Sequence, residues 1–243
     1  VFLDDLYETG RAFEAENLGF FEAEIDKARP EDTGLLIYTS GTTGAPKGAM
    51  LSQENIIGAM VSGAHALPTL PTDQQLCFLP LCHILERDVS VYFPLAARAT
   101  VNFAESTETV FDNLQEVSPD HFTAVPRVWE KIYSRVLVLA QEATPVGRLA
   151  FHMAQKAGAR RAAYLLAGKR PPFPVSAQYA VWDFLVLRNL RRMLGMDKMR
   201  RGATGAAPIS PELIKWYWSI GVKLIEGYGM TENAGLATVN LPD

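Results

Sequence analysis

The sequence is poor in the residues that carry the common covalent and metal chemistries. Its 243 residues include two cysteines and four histidines. Cys77 and Cys82 lie five apart in an apolar segment. They read as buried thiols of a reducing compartment, which places the chain in the cytoplasm and excludes a disulfide-stapled secreted domain. No second Cys/His pair has the spacing of a structural zinc site. No run of about 18 apolar residues is present, so nothing reads as a membrane-spanning helix. No signal peptide is visible, and no internal repeat, low-complexity tract or Ser–His–Asp pattern is read. The common nucleotide fingerprints are missing too. No G-x-G-x-x-G opens a helix after the first strand-like run. Where a Walker loop would place Gly-Lys-Ser/Thr, the chain has Pro46-Lys47-Gly48.

What is present is a dense run of hydroxyls and glycines at Tyr38-Thr39-Ser40-Gly41-Thr42-Thr43-Gly44-Ala45-Pro46-Lys47-Gly48, directly after apolar Leu35-Leu36-Ile37. Glycines allow close backbone approach to an anion and positive φ. Successive N–H groups in such a turn form an anion-binding concavity. The hydroxyls of Thr39, Ser40, Thr42 and Thr43 can donate to phosphate oxygens, and Lys47 adds a point charge. The run reads as a phosphate-handling loop.

Net charge is −4 over the whole chain, but it is unevenly spread. Residues 127–201 carry 15 Lys/Arg against 4 Asp/Glu, a net of +11, which leaves −15 for the remainder. Such asymmetry suits solvated helix faces or contact with an anionic membrane surface. No nucleic-acid-binding motif accompanies it, so no nucleic-acid partner is expected. The length allows one large domain or two small ones. The chain opens on Val1 in mid-pattern and ends at Asp243 soon after a motif-like segment, and both ends read as cuts in a longer protein.

Residues 1–29 alternate acidic and apolar residues and read as surface helix and loop, broken at Arg29-Pro30. Leu35–Tyr38 and Gly48–Leu51 read as strands, with Ser52 capping a helix whose stripe is Ile56, Ile57, Met60 and Val61. Leu76–Leu79, Ala99–Phe103 and Phe122–Val125 read as strands. They alternate with helices over Ile84–Leu95, from Thr107 to Val117, and after Pro126. Residues 141–200 read as a basic helical insertion, and Val222–Ile225 as the last clear strand. Strands separated by helices predict an α/β fold of layered, mostly parallel sheets.

Four further segments carry chemistry. Glu226-Gly227-Tyr228-Gly229-Met230-Thr231-Glu232 follows the last strand, where α/β sheets place ligands. Tyr228 offers a flat face for a base, Thr231 a hydroxyl for a phosphate, and Glu232 a hard oxygen suited to Mg²⁺. Gly205-Ala206-Ala207-Pro208 is small enough to border a planar base, or forms a simple turn before a helix started by Ser210-Pro211-Glu212. Leu79-Pro80-Leu81-Cys82-His83-Ile84-Leu85-Glu86-Arg87 points His83 to the ligand edge of the sheet and pairs Glu86 with Arg87. Trp129, in Pro126-Arg127-Val128-Trp129, borders a ligand or packs a helix on the sheet. His65, His121 and His152 show no partner pattern, and Trp216 and Trp218 read as packing residues.

In chain order, the loop around Thr42 and the Gly-Tyr-Gly-x-Thr-Glu block resemble the adenylate-forming (AMP-binding) superfamily of acyl-CoA synthetases, luciferases and peptide-synthetase adenylation domains. The Pro-Leu-x-His-x-x-Glu-Arg and Pro-Arg-Val-Trp blocks and the basic insertion are similar to its long-chain fatty acyl-CoA synthetase branch. The resemblance covers nearly the whole chain and implies part of that family's large N-terminal domain. Residues 1–33 are then an acidic lead-in and 34–140 a phosphate-loop subdomain. Residues 141–200 are the basic insertion and 201–243 an adenine and magnesium segment, with the small C-terminal domain absent. It implies ATP-dependent activation of a fatty acid to an acyl-adenylate and transfer to coenzyme A, with release of AMP and pyrophosphate. Thr39–Gly44 and Lys47 would grip the β- and γ-phosphates, and Gly205–Pro208 and Glu226–Met230 would frame adenine. Thr231 would lie near the α-phosphate, Glu232 on Mg²⁺, His83 near the acyl and α-phosphate groups, and Trp129 on the acyl tunnel. Lys47, His83, Thr231 and Glu232 are the expected catalytic residues. This segment alone is expected to turn over little. An adenylating enzyme for another carboxylic acid and a non-catalytic nucleotide or acyl sensor stay open, with a P-loop phosphotransferase more distant.

Overall fold

The computed structural model describes residues 2–39 and 45–241. Two helices come first, α1 (Leu3–Glu16) and α2 (Phe20–Lys27), and neither buries a residue. The antiparallel hairpin β1 (Thr33–Thr39) and β2 (Lys47–Ser52) follows, in a register that pairs Thr39 with Lys47. Helix α3 (Gln53–Ala66) begins as predicted at Ser52, whose Oγ accepts the Asn55 N–H at 3.2 Å while Asn55 Oδ1 accepts the Ser52 N–H. Its buried stripe differs from the expected one. Ile56 and Gly63 face inward, whereas Ile57 and Val61 are exposed.

The rest of the chain builds a six-stranded sheet in the order β4-β3-β5-β6-β7-β8. Strands β3 (Gln74–Cys77), β4 (Thr100–Phe103), β5 (His121–Ala124), β6 (Arg201–Thr204) and β7 (Leu224–Met230) run parallel, and β8 (Gly235–Val239) pairs antiparallel with β7. Between β3 and β4 the chain crosses through α4 (Ile84–Arg87), a wide π turn (Asp88–Tyr92) and α5 (Phe93–Ala97). The π turn has a local cause. Pro94 lacks an N–H, and its ring would meet the carbonyl of Ser90 in a regular helix, so the chain widens and Phe93 N–H reaches back to Asp88 O. The return crossovers are α6 (Val110–Val117), then α7 (Pro126–Glu142), α8 (Pro145–Leu166), α9 (Phe173–Trp182) and α10 (Arg188–Met193), and finally α11 (Pro211–Ser219).

Alternation along the strands separates the two faces of the sheet. Leu76, Phe122, Ala124 and Leu224 face the main core with Val110 and Leu114 of α6, Trp129, Ile132 and Val136 of α7, and Leu213 and Tyr217 of α11. Trp129 is fully buried at its centre. Its indole N–H donates to the carbonyls of Ala124 and Ala203, both at 3.2 Å, and its ring lies where any Cβ on Gly202 would come within 2.6 Å of it. Gln75, Thr123 and Ala203 face the other side, toward α4 and α5. There a smaller core of Ile37, Leu51, Ile56, Ile84 and Ala234 fastens the hairpin to the sheet.

The predicted α/β class with mostly parallel pairing is the observed one. Several details differ. Helix α6 starts at Val110, because Ser106 and Thr109 bond each other and Thr107 falls inside that turn. Gly227-Tyr228-Gly229 lies within β7 rather than in a turn after it, and β8 adds a strand the sequence reading lacked. Of the two cysteines only Cys77 is buried, its thiol pushed up to about 11 by that burial, while Cys82 is exposed.

Candidate active-site crevice

A crevice of about 220 Å³ opens at the carboxyl ends of β5, β6 and β7. Parallel sheets offer ligand space there because adjacent strands end and their loops diverge. Its mouth is formed by His83, Gly205, Ala206, Gly227, Tyr228, Gly229 and Thr231. Its interior is apolar, with Leu67, Val89, Phe93, Leu236 and Val239, and carries Thr123, Thr204 and Asp88 among these. It adjoins a smaller cavity that shares the walls Leu67, Val89, Phe93, Thr123 and Ala203 and is lined further by Gln75, His121 and Arg201. The site therefore joins a polar mouth to an apolar groove.

Each mouth residue is held by its element. The backbone of Gly205 approaches Gly227 so closely that a Cβ there would sit 3.0 Å from the Gly227 carbonyl oxygen. Tyr228 is exposed on β7 with its ring free to take a planar partner. Thr231 starts a 3-10 turn (Thr231–Asn233), in which Asn233 Oδ1 accepts the Met230 N–H at 3.2 Å. His83 caps α4, its Nδ1 accepting the Leu85 N–H at 3.2 Å. Among the described residues the Thr204 hydroxyl is buried without a hydrogen-bond partner.

His83, Gly205, Ala206, Gly227, Tyr228, Gly229, Met230 and Thr231 thus come together from widely separated parts of the chain. Ser40, Gly41, Thr42, Thr43 and Gly44 lie outside the described residues. Their flanks, Thr39 and Lys47, end β1 and β2, and β2 packs against the Thr231–Asn233 turn that carries Glu232. The strand that leads out of the loop and the turn that carries the expected magnesium ligand are therefore neighbours. Glu232 itself is exposed and makes no hydrogen bond or ion pair among the described residues. No cluster of three metal-ligating side chains occurs among them. A single free carboxylate is a donor set that suits Mg²⁺, which keeps its waters and takes phosphate oxygens from a nucleotide.

Other candidates sit elsewhere. Trp129 does not line the crevice; it is a core residue whose N–H is already bonded. Ala207 and Pro208 are exposed and also outside it. Glu226 braces the site from behind, its Oε1 accepting the Ile209 N–H at 3.4 Å. Glu86 and Arg87 are not paired with each other. Glu86 is buried and accepts the Ser90 hydroxyl at 2.6 Å, with burial raising its pKa, while Arg87 Nε donates to the Leu81 carbonyl.

Two groups that no sequence motif singles out matter here. His121 pairs with buried Asp73, Nε2 to Oδ2 at 2.9 Å, beside Arg200, and burial lowers its pKa despite that carboxylate. Asp88, 4% exposed, lines the crevice. Its position one residue after Arg87 carries no motif, and it faces inward one helical turn after buried Ile84.

A parallel-sheet enzyme fold with a strand-end crevice that is part polar and part apolar is the class these features define. The AMP-binding enzyme family matches residues 3–243, and the chain belongs to that family. Among curated relatives it is 32% identical over 225 residues to the long-chain-fatty-acid–CoA ligase ACSBG2 of Gallus gallus, covering 90% of this chain and 29% of that protein. It is also 32% identical over 240 residues to the long-chain-fatty-acid–CoA ligase ACSBG1 of Rattus norvegicus, covering 96% and 32%. The chain therefore spans about a third of the length of these relatives. The inhibitor-bound N-terminal domain of FACL13 from Mycobacterium tuberculosis is similar in fold, with TM-score 0.59, 22% identity, and coverage of 89% and 41%. ATP-bound MatB from Rhodopseudomonas palustris is similar too, with TM-score 0.57, 22% identity, and coverage of 88% and 32%.

Proposed function

We propose that the chain supplies the nucleotide- and acid-binding crevice of an ATP-dependent ligase. That enzyme converts a fatty acid to its acyl-adenylate and then passes the acyl group to coenzyme A. The observation that carries this reading is the continuity of a mouth built of Gly205, Gly227, Tyr228 and Thr231 with an apolar groove behind it. Such a site suits an amphiphilic ligand joined to a nucleotide.

A carboxylate is a poor acyl donor because its leaving group is oxide. Its oxygen attacks the α-phosphorus of ATP, the bond to the pyrophosphate leaving group breaks, and a mixed anhydride with AMP results. A thiol then attacks the acyl carbon, gives up its proton, and expels AMP. The first step brings an anion to a polyanion, so the protein contributes position and positive potential. Tyr228 stacks on the base, and Thr231 and the loop ending at Lys47 donate to phosphate oxygens. Glu232 would hold Mg²⁺, which neutralises phosphate charge when bound. His83 faces the junction of acyl group and phosphate. Each fixed donor at a developing charge contributes roughly 3–4 kcal/mol, by analogy with oxyanion-hole deletions.

Pyrophosphate–ATP exchange by the full-length protein tests this. Label should enter ATP only with a fatty acid present, and AMP should accumulate when coenzyme A is added. ADP as product would replace the ligase by a phosphotransferase.

The same reading gives the basic insertion a peripheral role at an anionic membrane surface. Residues 143–182 contain no Asp or Glu, and Lys156 and Arg160 are exposed beside Leu149, Met153, Val181 and Phe184. Part of the charge is engaged inside the fold: Arg191 pairs with Asp183, and Arg161 lies over Tyr179. Co-sedimentation with phosphatidylglycerol vesicles, and none with phosphatidylcholine vesicles, is the expected outcome.

A further inference from the structure

Asp88 is a buried carboxyl in the crevice wall with no hydrogen bond or ion pair among the described residues. The carboxyl borders the open space of the crevice, and a polar group that faces a ligand cavity is a candidate to bond the ligand. Two backbone features converge on it. Its N–H reaches back to the Ile84 carbonyl, so helical periodicity puts Asp88 on the inward face that buries Ile84, at the first residue of a π turn, a feature frequent at functional sites. Opposite stands Gly235, with φ +99°, where a Cβ would lie 1.7 Å from Asp88 Oδ2. The chain thus keeps open the space that the carboxyl fills.

Its location within the crevice sets its partner. The crevice is lined by His83, Thr231, Gly205 just after β6 and Gly227 and Gly229 of β7, and also by Val89, Phe93 and Leu236. Asp88 shares one crevice with both sets, which suits it to the head of an amphiphilic acid. This step rests on the reading given under Proposed function.

We infer that Asp88 binds the acid substrate directly, its carboxyl O–H donating a hydrogen bond to the substrate's carboxylate. The bond transfers no proton and fixes the attacking oxygen at the crevice junction. A donor O–H to a charged oxygen is among the stronger hydrogen bonds. Burial keeps the proton available, with the group pushed up to about 7. The elements packed on Asp88 supply no cation to ionise it. Its own helical run carries His83, Glu86, Arg87 and Tyr92, of which Arg87 is turned to the Leu81 carbonyl and Glu86 to Ser90. Helix α3 offers Glu54 and His65, β3 offers Cys77, and β8 has no titratable residue.

The test measures binding of cis-parinarate, a fluorescent fatty acid, to the wild type and to Asp88→Asn and Asp88→Leu at pH 6 and pH 8.5. N-methylanthraniloyl-ATP binding is measured in parallel. A group that titrates near 7 is about 3% protonated at pH 8.5, so wild-type affinity for parinarate should fall by up to about thirtyfold between the two pH values. Asp88→Asn, whose amide still donates, should bind equally at both and equal the wild type at pH 6. Asp88→Leu should be about tenfold weaker at pH 6. Equal pH slopes in the wild type and Asp88→Asn overturn the inference, even if Asp88→Leu does not fold. Parinarate bound with no slope in any variant overturns it while leaving the ligase reading in place. Nucleotide bound without parinarate overturns both the inference and the acyl half of that reading. Neither ligand bound overturns both entirely.

Discussion

Replacing Gly235 by alanine tests the architecture of the crevice. Two costs are separable. A φ of +99° strains any L-residue by about 1–3 kcal/mol. The new Cβ would also lie 1.7 Å from Asp88 Oδ2, so the carboxyl or β8 must shift, and overpacking of this kind costs about 1–3 kcal/mol. The single substitution should therefore destabilise by roughly 2–6 kcal/mol. Asp88→Ala alone removes a carboxyl whose protonation on folding costs about 3 kcal/mol at pH 6, against the small cavity it leaves, so it should be neutral to stabilising there. Combined, the two changes keep the strain but lose the collision. The double variant should then be about 1–3 kcal/mol more stable than the sum of the singles predicts. Equilibrium urea unfolding at pH 6, with equal m-values across the four proteins, measures this coupling. Additivity within about 0.5 kcal/mol would show that the carboxyl does not rest on Gly235 and would remove the geometric basis for its role.

Asp88 also sets a pH dependence of stability. Its folded pKa is raised from 3.8 to about 7, so between those values the folded state holds the extra proton and stability falls as pH rises. The loss is complete above about pH 7 and on the order of 4 kcal/mol at most; Asp88→Asn should lack this decline, read as a higher Tm at pH 8 and little gain at pH 4. Trp129→Ala should destabilise by about 3–5 kcal/mol in denaturant unfolding, since it empties the core and leaves the Ala124 and Ala203 carbonyls without the indole donor. A change confined to acyl-chain preference, with stability intact, would instead put Trp129 on the ligand. Glu232→Gln, on an exposed turn, should leave stability within about 0.5 kcal/mol and weaken nucleotide binding about tenfold in the presence of Mg²⁺ only. Equal weakening in EDTA would rule out a metal-binding role.

The architecture was legible where one local signal had no competitor. Ser52 with Asn55 caps a helix by short-range bonds, and Pro126 opens one, whatever the rest of the chain does. The strands β1, β3, β4 and β5 are short apolar runs between breakers and were found within a residue or two. Strand β6 was hidden because Arg201-Gly202-Ala203-Thr204 has no β-rich composition. Its glycine is there to admit the Trp129 ring, a contact between residues far apart in the chain. The same contact explains why Trp129 was ambiguous: an aromatic at a helix start is compatible with core and with tunnel until its neighbour at Gly202 is known. In the crevice, the Gly-Tyr-Gly-Met-Thr and Pro-Leu-Cys-His segments announce themselves by composition, and the sheet brings them to one edge. Asp88 does not, because a carboxylate after Glu-Arg on a helix ordinarily reads as solvated surface. What turns it inward is its place one helical turn after buried Ile84. What leaves room for it is Gly235, almost 150 positions away. Composition therefore marks the segments that reach the crevice, while the inward place of Asp88 shows only once its helix face and its contact with Gly235 are known.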